Sequence, residues 1–178
     1  PQWSLKYTTL WYGKKSKPHF GTVFAAGRAN DPEALLGLIR IAGDRLLPAI
    51  VRATALSLLA NYPGSASLHA FEQRLSDEEA LVRMTAARFI PVADNAPHRR
   101  LLAALLYDNV KAVRIEAAQA LSALPEDRLR GAARLKFDQV LEDYRQALLY
   151  SADFAPSQHN LGNLYRNRGK VEDAVKHY

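Results

Sequence analysis

Apolar side chains in the middle of the chain recur at i, i+4 and i+8, the spacing that places residues on one face of an α-helix. Three segments share this pattern and a Val-Arg step near their start: IVRATALSLL from Ile50, LVRMTAARFI from Leu81 and AVRIEAAQAL from Ala112. The arginines of the three segments lie 31 residues apart, at Arg52, Arg83 and Arg114. The pattern therefore predicts three equivalent helices within a repeated unit.

Each of these helices follows a second apolar segment that also predicts a helix: Glu33–Ala42, Ser67–Leu75 and His98–Tyr107. An aspartate lies in each intervening turn, at Asp44, Asp77 and Asp108. The first turn is longer by a two-residue insertion. Helix-turn-helix units at a fixed period are the sequence signature of an α-solenoid, in which neighbouring units share one continuous core.

The Asp…Val-Arg…Ala…Ala-Leu pattern of these units resembles compact bacterial HEAT-like repeats. The resemblance covers residues 32–125 as about three units. It implies an all-α fold in which helical hairpins stack into a right-handed α-α superhelix. Small residues at one position of each second helix fit close helix contacts: Ala55, Ala86 and Ala117.

The repeated arginine has two interpretations. A row of guanidinium groups on a surface could bind phosphate or carboxylate in a bidentate manner. Alternatively, each arginine pairs with the aspartate or the turn carbonyls of its own or the adjacent unit. The parallel recurrence of aspartate favours the second interpretation, with partly exposed pairs contributing roughly 0.3–1 kcal/mol each. The sequence accordingly predicts no catalytic, cofactor-binding or metal-binding residue.

A different spacing follows Pro125. The spacing W-x2-L-G-x2-Y is matched by Gln158, Leu161, Gly162 and Tyr165, with glutamine at the tryptophan position. The spacing A-x3-F is matched by Ala174 and Tyr178, with tyrosine for phenylalanine. These positions resemble a tetratricopeptide (TPR) repeat with glutamine in place of its tryptophan. We expect residues 126–178 to hold a degenerate TPR helix, from about Glu126 to Tyr150, and one TPR unit continuing beyond Tyr178. Gly162 should allow close helix contact and Gly169 should form the turn.

Residues 1–31 predict a helical cap with an aromatic cluster. The first predicted helix ends at Gly13 and places four large residues on one face: Trp3, Tyr7, Leu10 and Trp11. The second predicted helix carries Phe20 and Phe24. Such a cluster could be a ligand platform. The favoured interpretation is an apolar plug that closes the first repeat.

The excess positive charge of the chain is concentrated at this N-terminal end. The net charge is +6, and residues 1–30 contain five bases and no acid: Lys6, Lys14, Lys15, Lys17 and Arg28. Bases and acids are nearly balanced in the remainder, and the GKKSK cluster is too short for a phosphate-binding stripe. Nucleic acid is therefore not the expected partner.

Candidate chemistry is sparse. The chain has no cysteine, which excludes disulfides, thiol nucleophiles and thiolate metal sites within this stretch. No two histidines are spaced at i and i+4, and no phosphate-binding loop, dinucleotide fingerprint or nucleophile elbow is present. No apolar run approaches the roughly 18–20 residues of a membrane span. We expect neither enzymatic activity nor a membrane span in this segment.

The order of the segments carries a further resemblance. The succession LWYG, FAAGRANDPEALLGLI, LPAIVRATALSLL and HNLGNLY is similar to the C-terminal repeat region of bacterial multihaem c-type cytochrome-like proteins. Haem ligands of that family lie in C-x-x-C-H motifs, which this chain lacks. The resemblance implies no cofactor in this segment, a covalent haem in an upstream domain, and an extracytoplasmic (periplasmic) location.

The leading functional hypothesis is a non-catalytic scaffold that binds another protein, or another domain of its own chain, on the surface of stacked repeats. HEAT-like proteins also include DNA alkyl-purine glycosylases and phycobilin lyases, so an enzyme or nucleic-acid-binding module is the alternative. A glycosylase needs a basic face with aromatic residues to hold an extruded base, and the balanced, aromatic-poor repeats disfavour it. A third hypothesis assigns the segment to positioning a haem domain against its partner.

Overall fold

A computed structural model describes residues 2–13, 19–91, 96–125 and 128–178, and within these ranges it contains α-helices and no strand. The prediction of an all-α fold is therefore confirmed. The helices are α1 Gln2–Tyr12, α2 Phe20–Arg28, α3 Ala34–Gly43, α4 Ala49–Leu59, α5 Ser65–Arg74, α6 Ala80–Phe89, α7 Ala96–Leu105, α8 Lys111–Ser122, α9 Gly131–Tyr150, α10 Ala155–Asn167 and α11 Val171–Val175.

The three turn aspartates have one local role in common. Asp44 Oδ1 accepts a hydrogen bond from the Leu46 amide at 3.0 Å, and Asp77 Oδ1 accepts one from the Glu79 amide at 3.1 Å. Asp108 Oδ1 does the same for Val110 at 2.8 Å. A side chain that binds the amide two residues ahead mimics a backbone turn. These aspartates therefore fix the chain reversal between the two helices of each unit.

Helices α4, α6 and α8 pack against one another in succession, and α2 packs on α3 and α4. The small-residue column lies where these helices meet, because Ala55, Ala86 and Ala117 are all fully buried. The residues that end the apolar stripes are buried as well: Leu59, Ile90 and Leu121. One continuous cluster of buried side chains runs from Phe24 on α2 to Leu164 on α10.

The C-terminal helices differ from the sequence expectation at one point. The long helix begins at Gly131 rather than near Glu126, which itself lies outside the described residues. Arg130 is extended and Gly131 has φ +57°, a left-handed conformation that a continuous right-handed helix cannot contain. Gly169 has φ +69° in the turn between α10 and α11, as predicted.

The close contact predicted at Gly162 is present. A Cβ atom on Gly162 would lie 2.7 Å from the ring of Tyr178. The hydroxyl of that tyrosine donates a hydrogen bond to Asn163 at 2.8 Å, so Tyr178, three residues after the end of α11, is held against α10.

The two N-terminal helices behave differently from each other. Phe24 of α2 is buried in the core, with Phe20 and Val23 packed beside it. In contrast, Trp3 and Trp11 of α1 are 68 % and 71 % exposed. The prediction that the whole aromatic cluster forms an apolar plug is therefore wrong for α1, because the core ends at α2. Within the described ranges, no helix combines the length and apolar character needed to cross a membrane.

The contact between α2 and α3 depends on the absence of a side chain at Gly37. A Cβ atom there would lie 2.8 Å from Val23 Cγ1, closer than two carbons can approach. We expect Gly37→Ala to destabilise the protein by about 1–2 kcal/mol, since the clash exceeds the gain in helix propensity of roughly 1 kcal/mol. Urea denaturation measures the change. The double variant Gly37→Ala, Val23→Ala should lose less free energy of unfolding than the two single variants lose when their losses are added. If the losses are strictly additive, the two residues are not in contact.

Candidate functional site

Two of the three repeated arginines join successive units. The guanidinium of Arg52 pairs with Asp77 in the next turn and lies 3.4 Å from the carbonyl oxygen of Ala42. Arg83 donates to both carboxylate oxygens of Asp108, at 2.7 and 3.1 Å. Arg52 and Asp77 have side chains that are each 1 % exposed, so this pair is fully buried.

Each later arginine also binds the turn of its own unit. Arg83 Nη1 donates to the carbonyl oxygens of Asp77 and Glu78, at 2.7 and 2.9 Å. Arg114 Nη1 donates to those of Asp108 and Asn109, at 2.8 and 3.3 Å. The prediction that the arginines tie turns together is confirmed. The guanidinium groups of Arg52 and Arg83 are thus engaged internally rather than presented as a ligand-binding surface, whereas Arg114 binds its turn through Nη1.

The ion pair lowers the pKa of Asp108. Burial alone would raise that pKa, but the hydrogen bonds from Arg83 and from the Val110 amide, with the charges of Arg83 and Arg114, outweigh it. The carboxylate is thus held ionised. Two more contacts join neighbouring units, an ion pair of Arg88 with Glu116 and a hydrogen bond between His98 and Glu72. These contacts between the units are therefore structural.

A polar groove lies between α8, α9 and α10. It has a volume of about 250 Å³, and its lining is rich in amides and hydroxyls: Gln119, Ser122, Tyr144, Asn160, Asn163, Leu164, Arg166 and Asn167. We call these residues the amide groove. Three of its asparagines are spaced at i, i+3 and i+7 on α10, so they lie along one face of that helix.

Part of the amide groove is fixed by internal hydrogen bonds. Gln119 bonds the Tyr144 side chain, and Asn163 accepts from Tyr178. Burial, reinforced by the negative charge of Glu116, raises the pKa of Tyr144, so its hydroxyl is neutral at physiological pH. Neutral lining groups dominate this groove, with one cation at Arg166.

Other side chains of the amide groove are available to hydrogen-bond a ligand. The side chains of Asn160, Arg166 and Asn167 are exposed and form no hydrogen bond or ion pair with the described parts of the chain. A side-chain amide both donates and accepts, which is the same hydrogen-bonding pattern as a peptide group. The groove can therefore bind a main-chain segment through paired donors and acceptors.

A second groove lies between α9 and α10, and it is charged rather than neutral. It measures about 230 Å³ and is lined in part by Asp138, Glu142, Arg145 and Arg168. Arg145 binds Glu142 at 2.6 and 2.8 Å, and Arg168 binds Asp138 at 3.2 Å. The hydrogen bonds from Arg145 and Gln146 lower the pKa of Glu142 to about 2. Because these charges satisfy one another, this groove is a weaker candidate.

The sequence pattern predicts no site residue, and the amide groove is not among its predictions. The spacing of the asparagines on α10 was a usable signal, but the groove also needs Gln119 and Tyr144 from two other helices. Comparison of the chain with protein families, with curated proteins and with solved structures finds no significant match.

Proposed function

We propose that this chain is a non-catalytic helical-repeat module that binds a partner protein. In this proposal the helix pairs α3–α4, α5–α6 and α7–α8 are HEAT-like units of a right-handed superhelix, and α9–α11 continue it as TPR-type helices. The observation that carries the proposal is the set of uncommitted amides in the amide groove. The link to cytochrome-like proteins, with a haem domain upstream, stays a prediction.

The ligand that best fits the amide groove is an extended polypeptide segment. Its main chain has the donors and acceptors that Asn160 and Asn167 can pair with, and an acidic side chain would complement Arg166. Small-molecule pockets are predominantly apolar and usually larger, about 300–1,000 Å³. The neutral polar lining and the modest volume therefore favour a chain segment over a small organic ligand.

A peptide selection tests this function. Random peptides displayed on phage are selected on the immobilised protein, and their affinities are measured by fluorescence anisotropy. The variant Asn160→Ala, Asn167→Ala should weaken the selected peptides by about 1–3 kcal/mol, roughly five- to 150-fold, because two hydrogen-bonding groups are lost.

Asn61→Ala, Gln139→Ala is the matched control, since both amides are exposed outside the groove. It should leave affinity unchanged. The proposal fails if no peptide is enriched, or if the control weakens binding as much as the groove variant does.

A further inference from the structure

The first helix has no buried face. Every α1 side chain whose exposure the structure describes is exposed, and α1 forms no extensive contact with another helix in the described ranges. Four large side chains nevertheless lie on one side of it, at i, i+4, i+7 and i+8: Trp3, Tyr7, Leu10 and Trp11. We call these four the aromatic face. It is a coherent apolar stripe of the kind that normally covers a core, yet here it faces solvent.

The kinds of residue in the aromatic face point to a lipid surface. Tryptophan and tyrosine combine an apolar ring with one polar group, so they favour the boundary between headgroups and acyl chains. The rings of Tyr7 and Trp11 are neighbours, tilted by 43° with centroids 5.7 Å apart. Lys6 and Thr9 are exposed polar residues of the same helix. A short helix that concentrates large apolar residues on one side, with polar residues and only Leu5 and Tyr12 elsewhere, fits a helix that lies in the membrane interface.

The positive charge of the N-terminal segment indicates which class of lipid it would bind. Residues 1–30 contain five bases and no acid, whereas the remainder is nearly neutral. Lys14 and Lys15 follow the helix by two and three residues in the sequence, and Lys6 is exposed on the helix itself. The basic charge therefore belongs to the same segment of the chain as the aromatic face.

We propose that α1 docks this protein on bilayers that contain anionic phospholipids. The aromatic face enters the headgroup region, and the neighbouring lysines bind the negative surface. At about 1.5 Å per residue, a helix of 11 residues is roughly 16 Å long. It is too short to span a bilayer but suited to lying in its plane. This inference is independent of the amide groove, which belongs to the opposite end of the chain.

Intrinsic fluorescence tests the docking directly, because Trp3 and Trp11 are the only two tryptophans of the chain. Without lipid, their emission should be that of water-exposed indoles. Vesicles of equal parts phosphatidylcholine and phosphatidylglycerol should shift it to the blue, and vesicles of phosphatidylcholine alone should cause a much weaker shift. Vesicle sedimentation gives the partition coefficient.

Two variants separate the apolar and electrostatic contributions. Trp3→Ala, Trp11→Ala should lower partitioning at least about tenfold, whereas Leu36→Ala, Leu46→Ala, which also removes exposed apolar side chains, should not. Lys14→Gln, Lys15→Gln should lower it by about 25-fold, taking about fivefold per lysine near an anionic surface. The control Lys111→Gln, Lys170→Gln should change it less than about twofold.

Several results would overturn the proposal. Blue-shifted emission without vesicles would show that a second copy or another part of the protein covers the aromatic face. A shift with short duplex DNA but not with vesicles would make the segment a nucleic-acid contact. Equal partitioning into neutral and anionic vesicles, or no partitioning, would remove the role of anionic lipid.

Discussion

Replacing Arg52 by alanine should destabilise the protein by about 3–5 kcal/mol, the usual cost of leaving one partner of a buried ion pair without its counter-charge. Asp77 would remain buried, with the guanidinium of Arg74 at 3.5 Å as its nearest remaining cation. The measurement is urea denaturation followed by circular dichroism, at neutral pH. Since a typical domain has about 5–15 kcal/mol of stability, this single change removes a large part of it.

The equivalent arginines supply matched controls. Arg83 has a side chain that is 13 % exposed and pairs with Asp108, whereas Arg114 hydrogen-bonds turn carbonyls. We expect the loss of stability on alanine substitution to fall in the order Arg52, Arg83, Arg114. Equal losses at the three positions would contradict the assignment of the cost to burial of the ion pair.

A second variant separates the missing charge from lost packing. Arg52→Met, Asp77→Leu replaces both partners by apolar side chains of similar length. It should be more stable than Arg52→Met alone, because no unpaired carboxylate is left in the interior. If the double variant is as unstable as the two single changes added together, the two groups do not interact.

Truncating Leu59 to alanine should cost about 2–5 kcal/mol, the range for removing a buried leucine side chain and leaving a cavity. Leu59 is fully buried at the end of α4, and Leu121 holds the same position in α8 at 1 % exposed. Urea denaturation again gives the change, and Leu121→Ala should fall in the same range.

Leu46→Ala is the control for these truncations, because Leu46 is 94 % exposed. Its stability should differ from that of the unsubstituted protein by less than about 0.5 kcal/mol. A loss at Leu46 as large as that at Leu59 would show that the core does not lie between the stacked helices.

The repeated unit was predictable from sequence because its signals are local. Periodic apolar residues specify the helix faces, and each turn aspartate binds an amide only two residues away. The pairing of arginine with aspartate was also predictable, since both recur with the same period. Its strength at Arg52 was not, because burial depends on how α3, α4 and the following turn enclose that side chain. The sequence estimate for a partly exposed pair is therefore too small at this position.

Three other features depend on information that the pattern does not contain. The aromatic face of α1 has the same periodicity as a core-facing helix, so periodicity could not show that it is exposed. The start of α9 depends on the left-handed backbone at Gly131. The amide groove needs side chains from three helices that are distant in sequence. Each of these is a tertiary property, or a backbone choice that residue type alone leaves open.

The arginine–aspartate pairs link each unit to the following one, and the series stops at Asp108. Arg52 reaches forward to the next turn, and Arg83 does the same, but the position one period beyond Asp108 is Gln139, and Arg114 therefore lacks the matching carboxylate. Among the described residues, the arginine–aspartate pairs that link the units up to α8 are not repeated between α8 and α9. Cooperativity of unfolding should weaken at that junction, so that α9–α11 can open as a separate cooperative unit while the earlier helices stay folded. The amide groove lies across this junction, with residues from α8, α9 and α10, so its shape can then adjust to a ligand.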